Sequence, residues 1–336
     1  MSKNPQQTAY MYASSRVRAL EVGLVGKDRI EQLLNAGSMD ELYARLAEYG
    51  VTLVKDADGK VKEEETLQGI LKRALDDLLE SVPAPELFDF LRYPYDCHNI
   101  KSAIKSNLRG LSADGLLSAL GTVSSEKVAN MPIENDFSCL PAAMANAAPL
   151  AVQAYAKTAN PRQIDLILDK ACYADMLSCV KQGSEPLHLQ LVQTKIDLTN
   201  VMICLRLVRM EAGEQGEMLL EQAWLDGGLL QKETLLRAYR EGEAALISCL
   251  VGTAYDKFAT AMRDRGQTAA AAERLVDDYF MDLVRTVRYT TFGASVLSAY
   301  FYAQEYAVRN IRIVIAAKRA GLSAEIIRER IRTSYV

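Results

Sequence analysis

Apolar residues recur at intervals of three and four along most of the chain, and few runs alternate with period two, so the pattern predicts an all-α protein. A long helix is expected from Tyr10 to about Leu34. Asn35-Ala36-Gly37-Ser38 then supplies a stop and a new cap for a short helix over Asp40–Tyr49. Residues 51–62 carry Asp58-Gly59 between short apolar runs and are the one place where a hairpin or irregular excursion is expected. Helix resumes from Glu63 to about Ser81. Two breaks, Val82-Pro83-Ala84-Pro85 and Tyr93-Pro94-Tyr95, then precede a helix from about Asp96 to Leu108. Gly110 closes that helix and Ser112-Ala113-Asp114 opens the next. Pro132, Pro141, Pro149 and Pro161 mark joints, strong helices follow over Arg162–Lys181 and Leu187–Met210, and later breaks are expected near Gly266 and Gly321.

The helical pattern repeats. Asn99 and Asn310 lie 211 residues apart, and at that single offset nine positions agree in a 16-residue window, counting two that keep only their charge. Ile100 matches Ile311, Lys101 corresponds to Arg312, and Gly110-Leu111-Ser112-Ala113 matches Gly321-Leu322-Ser323-Ala324. A third, degraded copy runs Asp197-Leu-Thr-Asn200, with Met202 in place of the basic residue and a Gly/Glu-rich insertion at 211–217 in place of the Gly-Leu-Ser-Ala tail. A long helix lies upstream of each Asn. Each unit is about 105 residues, far longer than a common solenoid repeat. The expected organisation is three helical repeats, over 1–115, 116–225 and 226–336, around a pseudo-threefold axis, with the C-terminal helix free to pack back on the first repeat.

Composition changes this picture little. The 336 residues are 49% hydrophobic and 24% charged, which is ordinary for a globular chain. The net charge of -4 lacks the basic excess of a general nucleic-acid binder. Charge is uneven, however: from Arg309 onward seven Lys/Arg face two acids, so that tail is +5 and the remainder -9. Late basic residues are common on helices as a solvated face; the alternative is a docking surface for an acidic partner or lipid headgroups, with Arg328, Arg330 and Arg332 at its centre. The six cysteines show no C-x-x-C spacing, and Cys172 and Cys179 lie two turns apart on one helix, too far along the axis for a disulfide. The uncharged stretches Phe137–Ala156 and Tyr289–Gln304 read as buried helix packing, being too short or too interrupted to span a bilayer. The opening residues carry no signal-peptide pattern.

Catalytic chemistry is poorly supported. The string Gly23-Leu-Val-Gly26-Lys27-Asp28 has the wrong spacing for a phosphate loop, lacks the hydroxyl that would bind magnesium, and falls inside an expected helix. Only His98 and His188 are available for metal or acid–base work. Asp277-Asp278-x-x-x-Asp282 and Asp76-Asp77-x-x-Glu80 would suit a magnesium-dependent isoprenoid synthase, although paired acids on amphipathic helices also serve as solvated faces or as partners of Arg274 and Arg285. A generic all-helical adaptor is the other alternative. No cofactor and no metal are expected. The repeat signature, Asp96, Asn99 and Lys101, Asp197 and Asn200, Asn310 and Arg312, reads as structural: Asp96 is placed to cap a helix after Pro94, and Asn99 to bond to the preceding loop or a neighbouring helix.

Tyr95-Asp96-Cys97-His98-Asn99-Ile100-Lys101 resembles the signature of the C subunits of V/A-type ATPases and ATP synthases, whose eukaryotic equivalent is the d subunit. The opening from Tyr12 to Glu21 and the ending from Asn310 through Tyr335-Val336 are similar to that family as well. In the third repeat Ala307 stands where the family often has an acid, with Glu305 two residues earlier. The resemblance implies a three-domain helical funnel on the cytoplasmic face of the membrane. It also implies a non-catalytic central-stalk rotor subunit, a peripheral part that joins the shaft, subunits D and F, to the proteolipid ring during ATP-linked proton or sodium transport.

Overall fold

In the computed structural model the described residues are 9–336, and they form two compact units: one from the middle of the chain, Glu86–Asp264, and one from its two ends, up to Pro85 and from Arg265. Both are helical. The one β feature among the described residues is an isolated antiparallel bridge, Lys55 to Val61, closed by Gly59 at φ 78°, at the place where the sequence expects an excursion.

The end unit contains α1 (Met11–Leu20), α2 (Lys27–Leu34), α3 (Met39–Glu48) and α4 (Glu63–Leu79). Its later part runs α14 (Ala269–Arg285), α15 (Ala294–Arg319) and the short α16 (Ala324–Arg328). The single helix expected over Tyr10–Leu34 is in fact two. It breaks after Leu20 because Gly26 lies against the C-terminal segment: a Cβ there would stand 2.7 Å from Val336 Cγ2, and the Lys27 amide donates to the Val336 carbonyl at 3.2 Å. Gly23–Lys27 is therefore a helix junction rather than helix interior. Ser38 caps α3, its hydroxyl accepting from the Glu41 amide at 3.1 Å, while the Glu41 carboxylate accepts from the Gly37 amide at 2.7 Å. The core element is α15, which packs on α4, α1 and α14. Its residues are buried without a gap from Ala294 to Ala303, on all sides as expected of a helix surrounded by others, and beyond that along one face that includes Val308, Ile311 and Val314.

The middle unit runs α5 (Tyr93–Leu108), α6 (Ser125–Glu134), α7 (Ala142–Thr158), α8 (Arg162–Gly183), α9 (Pro186–Arg209), α10 (Gly213–Ala223), α11 (Lys232–Glu241) and α12 (Glu243–Ser248), and α13 (Asp256–Arg265) leads out of it. Helix α8 lies along α7 and also packs on α5 and α9. Pro141 and Pro161 stand at helix starts, but Pro132 and Pro149 lie inside α6 and α7 instead of marking joints. Each removes one i→i−4 bond. Helix α7 survives the loss because α8 supports its length and because Asp175 of α8 holds its first turn, accepting from the Ala143 and Met144 amides at 2.8 and 2.9 Å. Burial pushes the Asp175 carboxyl above its ordinary range, against the pull of those two amides.

Residues 112–114 do not open a helix. The Ser112 hydroxyl accepts from the Asp114 amide at 3.0 Å, and Gly115 at φ 75° turns the chain away, so the segment between α5 and α6 stays irregular. The last third is also more finely broken than expected, with stops at Gly242, around residues 249–255 and at residues 286–293, in addition to those near Gly266 and Gly321. Among the described residues no cysteine is bonded to another; Cys97, Cys172, Cys179 and Cys204 are buried and Cys139 is exposed.

Candidate functional site: side chains that hold the following loops

The three signature asparagines occupy equivalent places. Each is fully buried on a long helix, and each grips both backbone polar groups, N–H and C=O, of one residue in the segment that follows its helix. Asn99 Nδ2 donates to the Ser118 carbonyl at 2.8 Å and its Oδ1 accepts from the Ser118 amide at 2.7 Å. Asn200 does the same to Leu225, at 2.8 and 3.0 Å, and Asn310 to Arg332, at 3.0 and 2.9 Å. A primary carboxamide presents its carbonyl oxygen and one N–H side by side, so it satisfies the N–H and the C=O of a single residue at once. Asn99 thus reaches forward to the loop after its helix, not back to the loop before it.

The helices that carry these residues also end alike. The amide of Leu111 donates to the Ser106 carbonyl, that of Ala212 to Leu207, and that of Leu322 to Ala317, in each case past a left-handed residue. That residue is Gly110 at φ 66°, Glu211 at φ 53° and Gly321 at φ 68°. The backbone of the degraded copy therefore keeps the helix stop although its glycine is gone.

One turn before each of the first two asparagines sits an acid that extends the grip. Asp96 lies within α5, not at its cap, because the helix begins at Tyr93 with Pro94 in its first turn. Its carboxylate accepts from the Thr122 amide at 3.0 Å, the Thr122 hydroxyl at 2.7 Å and the Val123 amide at 3.2 Å. Asp197 accepts from the Leu229 and Leu230 amides at 2.8 and 3.1 Å and from the Tyr255 hydroxyl at 2.6 Å. In both cases the amides belong to the residues four and five beyond the one gripped by Asn. Burial raises the Asp96 carboxyl above its ordinary range, partly offset by these donors and by nearby Arg92. A glycine permits each approach: a Cβ at Gly121 would run into Asp96 Oδ1, and one at Gly228 into Asp197 Oδ1.

The third copy differs. Ala307 stands at the acid position, and Tyr335 stands where Gly121 and Gly228 stand, three residues after the gripped peptide. An acid from another helix holds this segment instead: Asp278 of α14 accepts from the Thr333 amide at 2.6 Å. Sequence reading missed the roles of Gly121, Gly228 and Tyr255 and weighed Asp278 only for a diphosphate site. The two glycines are visible only once the segments are aligned on the gripped residue, and Asp278 belongs to the upstream helix.

The basic positions are paired within their units. Lys101 meets Asp169 of α8, and Arg312 meets Glu64 of α4 at 2.9 Å; Met202, the residue of the second copy, is buried. In the tail Arg328 pairs with Glu31 and Arg332 with Asp277, both at 3.0 Å, while Arg330 is exposed. The acids weighed for a diphosphate site are engaged. Asp277 lies between Arg309 and Arg332, Asp278 is 3.4 Å from Arg274 and holds Thr333, and Asp282 is 3.6 Å from Arg285. Asp277 and Asp278 are committed to arginines and the tail backbone, which leaves Asp282 alone exposed and argues against the isoprenoid-synthase alternative.

The model of the ATP synthase (C/AC39) subunit family matches residues 13–330. The chain belongs to this family. It is 27% identical over 325 residues to the C subunit of the V-type sodium ATPase of Enterococcus hirae, covering 95% of this chain and 97% of that one. It is 25% identical over 351 residues to the C subunit of the A-type ATP synthase of Methanocaldococcus jannaschii, covering 95% and 85%, and 23% identical over 358 residues to that of Methanosarcina mazei, covering 98% and 94%. The family consists of non-catalytic structural subunits of V/A-type ATPases, and its match removes the generic adaptor as an alternative. Among the described residues no helix is long and apolar enough to cross a membrane.

Proposed function

We propose that this protein is a rotor part of the central stalk, on the cytoplasmic face of the membrane, joining the shaft formed by subunits D and F to the proteolipid ring and turning with both. The family match over residues 13–330 carries the reading. In this view the three repeats, about 1–115, 116–225 and 226–336, are wedges around a pseudo-threefold axis, and the signature asparagines stiffen each wedge. A torque-bearing part needs helices that do not change angle under load, and a helix tied to its following loop by a fully buried carboxamide resists such a change.

Within the basic tail, Arg330 is the residue we assign to docking, since Arg328 and Arg332 have acidic partners inside their own unit. Affinity purification of the tagged chain from its native membranes, followed by identification of the co-purifying proteins, tests the function. Shaft and ring subunits are expected in stoichiometric yield, and their absence from membranes that contain the assembled ATPase would end the proposal. Arg330→Glu is expected to lower that yield without changing the melting temperature of the free protein.

A further inference from the structure

The second copy keeps the helix stop of its sisters but uses it differently. Where they carry glycine in the left-handed conformation, it carries Glu211 at φ 53°, a backbone position that a β-carbon disfavours by about 1 kcal/mol. Beside it an open groove of about 520 Å³ runs between the end of α9 and the start of α10. Leu207, Val208 and Ala212 supply an apolar floor with the Tyr239 ring, which is fixed by its hydroxyl donating to the Gly213 carbonyl at 2.9 Å. Two large apolar side chains of the same segment stand in solvent, Met210 next to Glu211 at 74% and Met218 next to Glu217 at 62% exposure. Both belong to the segment that bears the groove, and methionine adapts to varied partners.

The rim states what kind of partner. Three acids and one arginine line the groove: Glu217 is bound by Arg240, as nearby Glu243 is by Arg209, while among the described residues Glu211 and Glu214 make no ion pair and leave the lining net acidic. Glu214, Met218 and Glu221 follow one another along one exposed face of α10, so acids alternate with the apolar contact. We infer that this groove is a docking surface for a basic amphipathic helix of a partner protein, whose apolar face covers Met210, Met218 and the floor and whose Lys/Arg flank pairs with Glu211 and Glu214. Such a helix is read by an apolar stripe with charges beside it, the chemistry this groove mirrors. The inference goes beyond the rotor reading, because it needs no particular position of the protein in the ATPase.

The test uses the full chain labelled at its methionine methyls, with Met210→Leu and Met218→Leu assigning the two signals. The probe is a synthetic 18-residue helical peptide of leucine and lysine, with a leucine–glutamate counterpart as control. The basic peptide is expected to shift the Met210 and Met218 resonances and the acidic one to leave them in place. Glu211→Gln with Glu214→Gln should weaken binding about fivefold. Glu211→Gly should weaken it too while holding or raising the melting temperature, since glycine accepts the left-handed backbone. Unmoved methionine signals, equal binding by the double variant, or equal response to the acidic peptide would overturn the inference. So would calcium chloride alone moving both signals and blocking the peptide, which would make the acids a cation site.

Discussion

In the middle unit a buried aspartate and a glycine face each other twice, Asp96 with Gly121 and Asp197 with Gly228; in the end unit the same two positions carry Ala307 and Tyr335. Neither half of the exchange makes sense alone. An aspartate can reach two successive amides only where the preceding residue has no side chain, and a tyrosine can occupy that place only where the acid is gone. The third copy has given up this contact for another. Tyr335 is buried at 3% exposure, accepts from Arg18 Nη1 at 3.3 Å and lies 6.0 Å beneath the Arg288 guanidinium, while Asp278 takes over the backbone amide. The asparagine is what all three share, so its grip on the backbone of one residue is the invariant of the repeat and the acid is an optional extension.

The most forceful way to break this comparison is Asp197→Ala. It strands two amides and the Tyr255 hydroxyl in a buried setting and is expected to cost about 3–5 kcal/mol in urea denaturation; a cost below about 1 kcal/mol would mean that the acid does not hold its segment. Gly228→Ala comes next, at about 2–3 kcal/mol from the collision with Asp197. Its penalty should shrink by at least about 1 kcal/mol in the Asp197→Ala background, and a double-mutant cycle showing additivity would undo the pairing of acid and glycine. Asn310→Ala should lower stability by about 1–2 kcal/mol, somewhat less than Asn99→Ala, because the Arg332 peptide is partly exposed and the Ser118 peptide is buried.

The smallest effect is a pH dependence present in the first copy and missing from the third. Because burial raises the folded pKa of Asp96, the folded state binds its proton at a higher pH than the unfolded chain. The contribution of this group to stability is therefore most favourable below the ordinary aspartate pKa and declines as pH rises through the raised value. Urea midpoints measured across that window should fall with rising pH more steeply for the natural chain than for Asp96→Asn. An identical slope in the two proteins would remove Asp96 from the account.

Much of the fold is legible in the pattern of apolar positions. Helices α4, α8 and α9 stand where the periodicity puts them, because each buries a continuous face and a face imposes spacing. The errors fall where a distant residue decides. Gly26 breaks the first helix because Val336 lies on it, and Pro149 fails to break α7 because α8 and Asp175 hold that helix. The signature residues were legible as a repeat but their action was not. Asp96 looks like a helix cap after Pro94, and only the fold brings Thr122 and Val123 to it. The tail illustrates the same limit: seven basic residues along late helices look like a surface for something else, yet Arg312, Arg328 and Arg332 find acids in their own unit.

The asparagine's grip on a single residue also bears on how such a chain can change. Asn99 reaches 19 residues ahead, Asn310 22 and Asn200 25, yet what each holds is the backbone of a single residue. Closing the longest of these spans instead of the shortest costs only about 0.2 kcal/mol in chain entropy. The stretch between helix end and gripped residue is thus free to lengthen, shorten or acquire new surface, as the acidic segment after α9 has done, while the anchor stays fixed. A fold tethered in this way accumulates insertions at predictable places, and sister proteins are expected to differ most in length just upstream of the residues their asparagines hold.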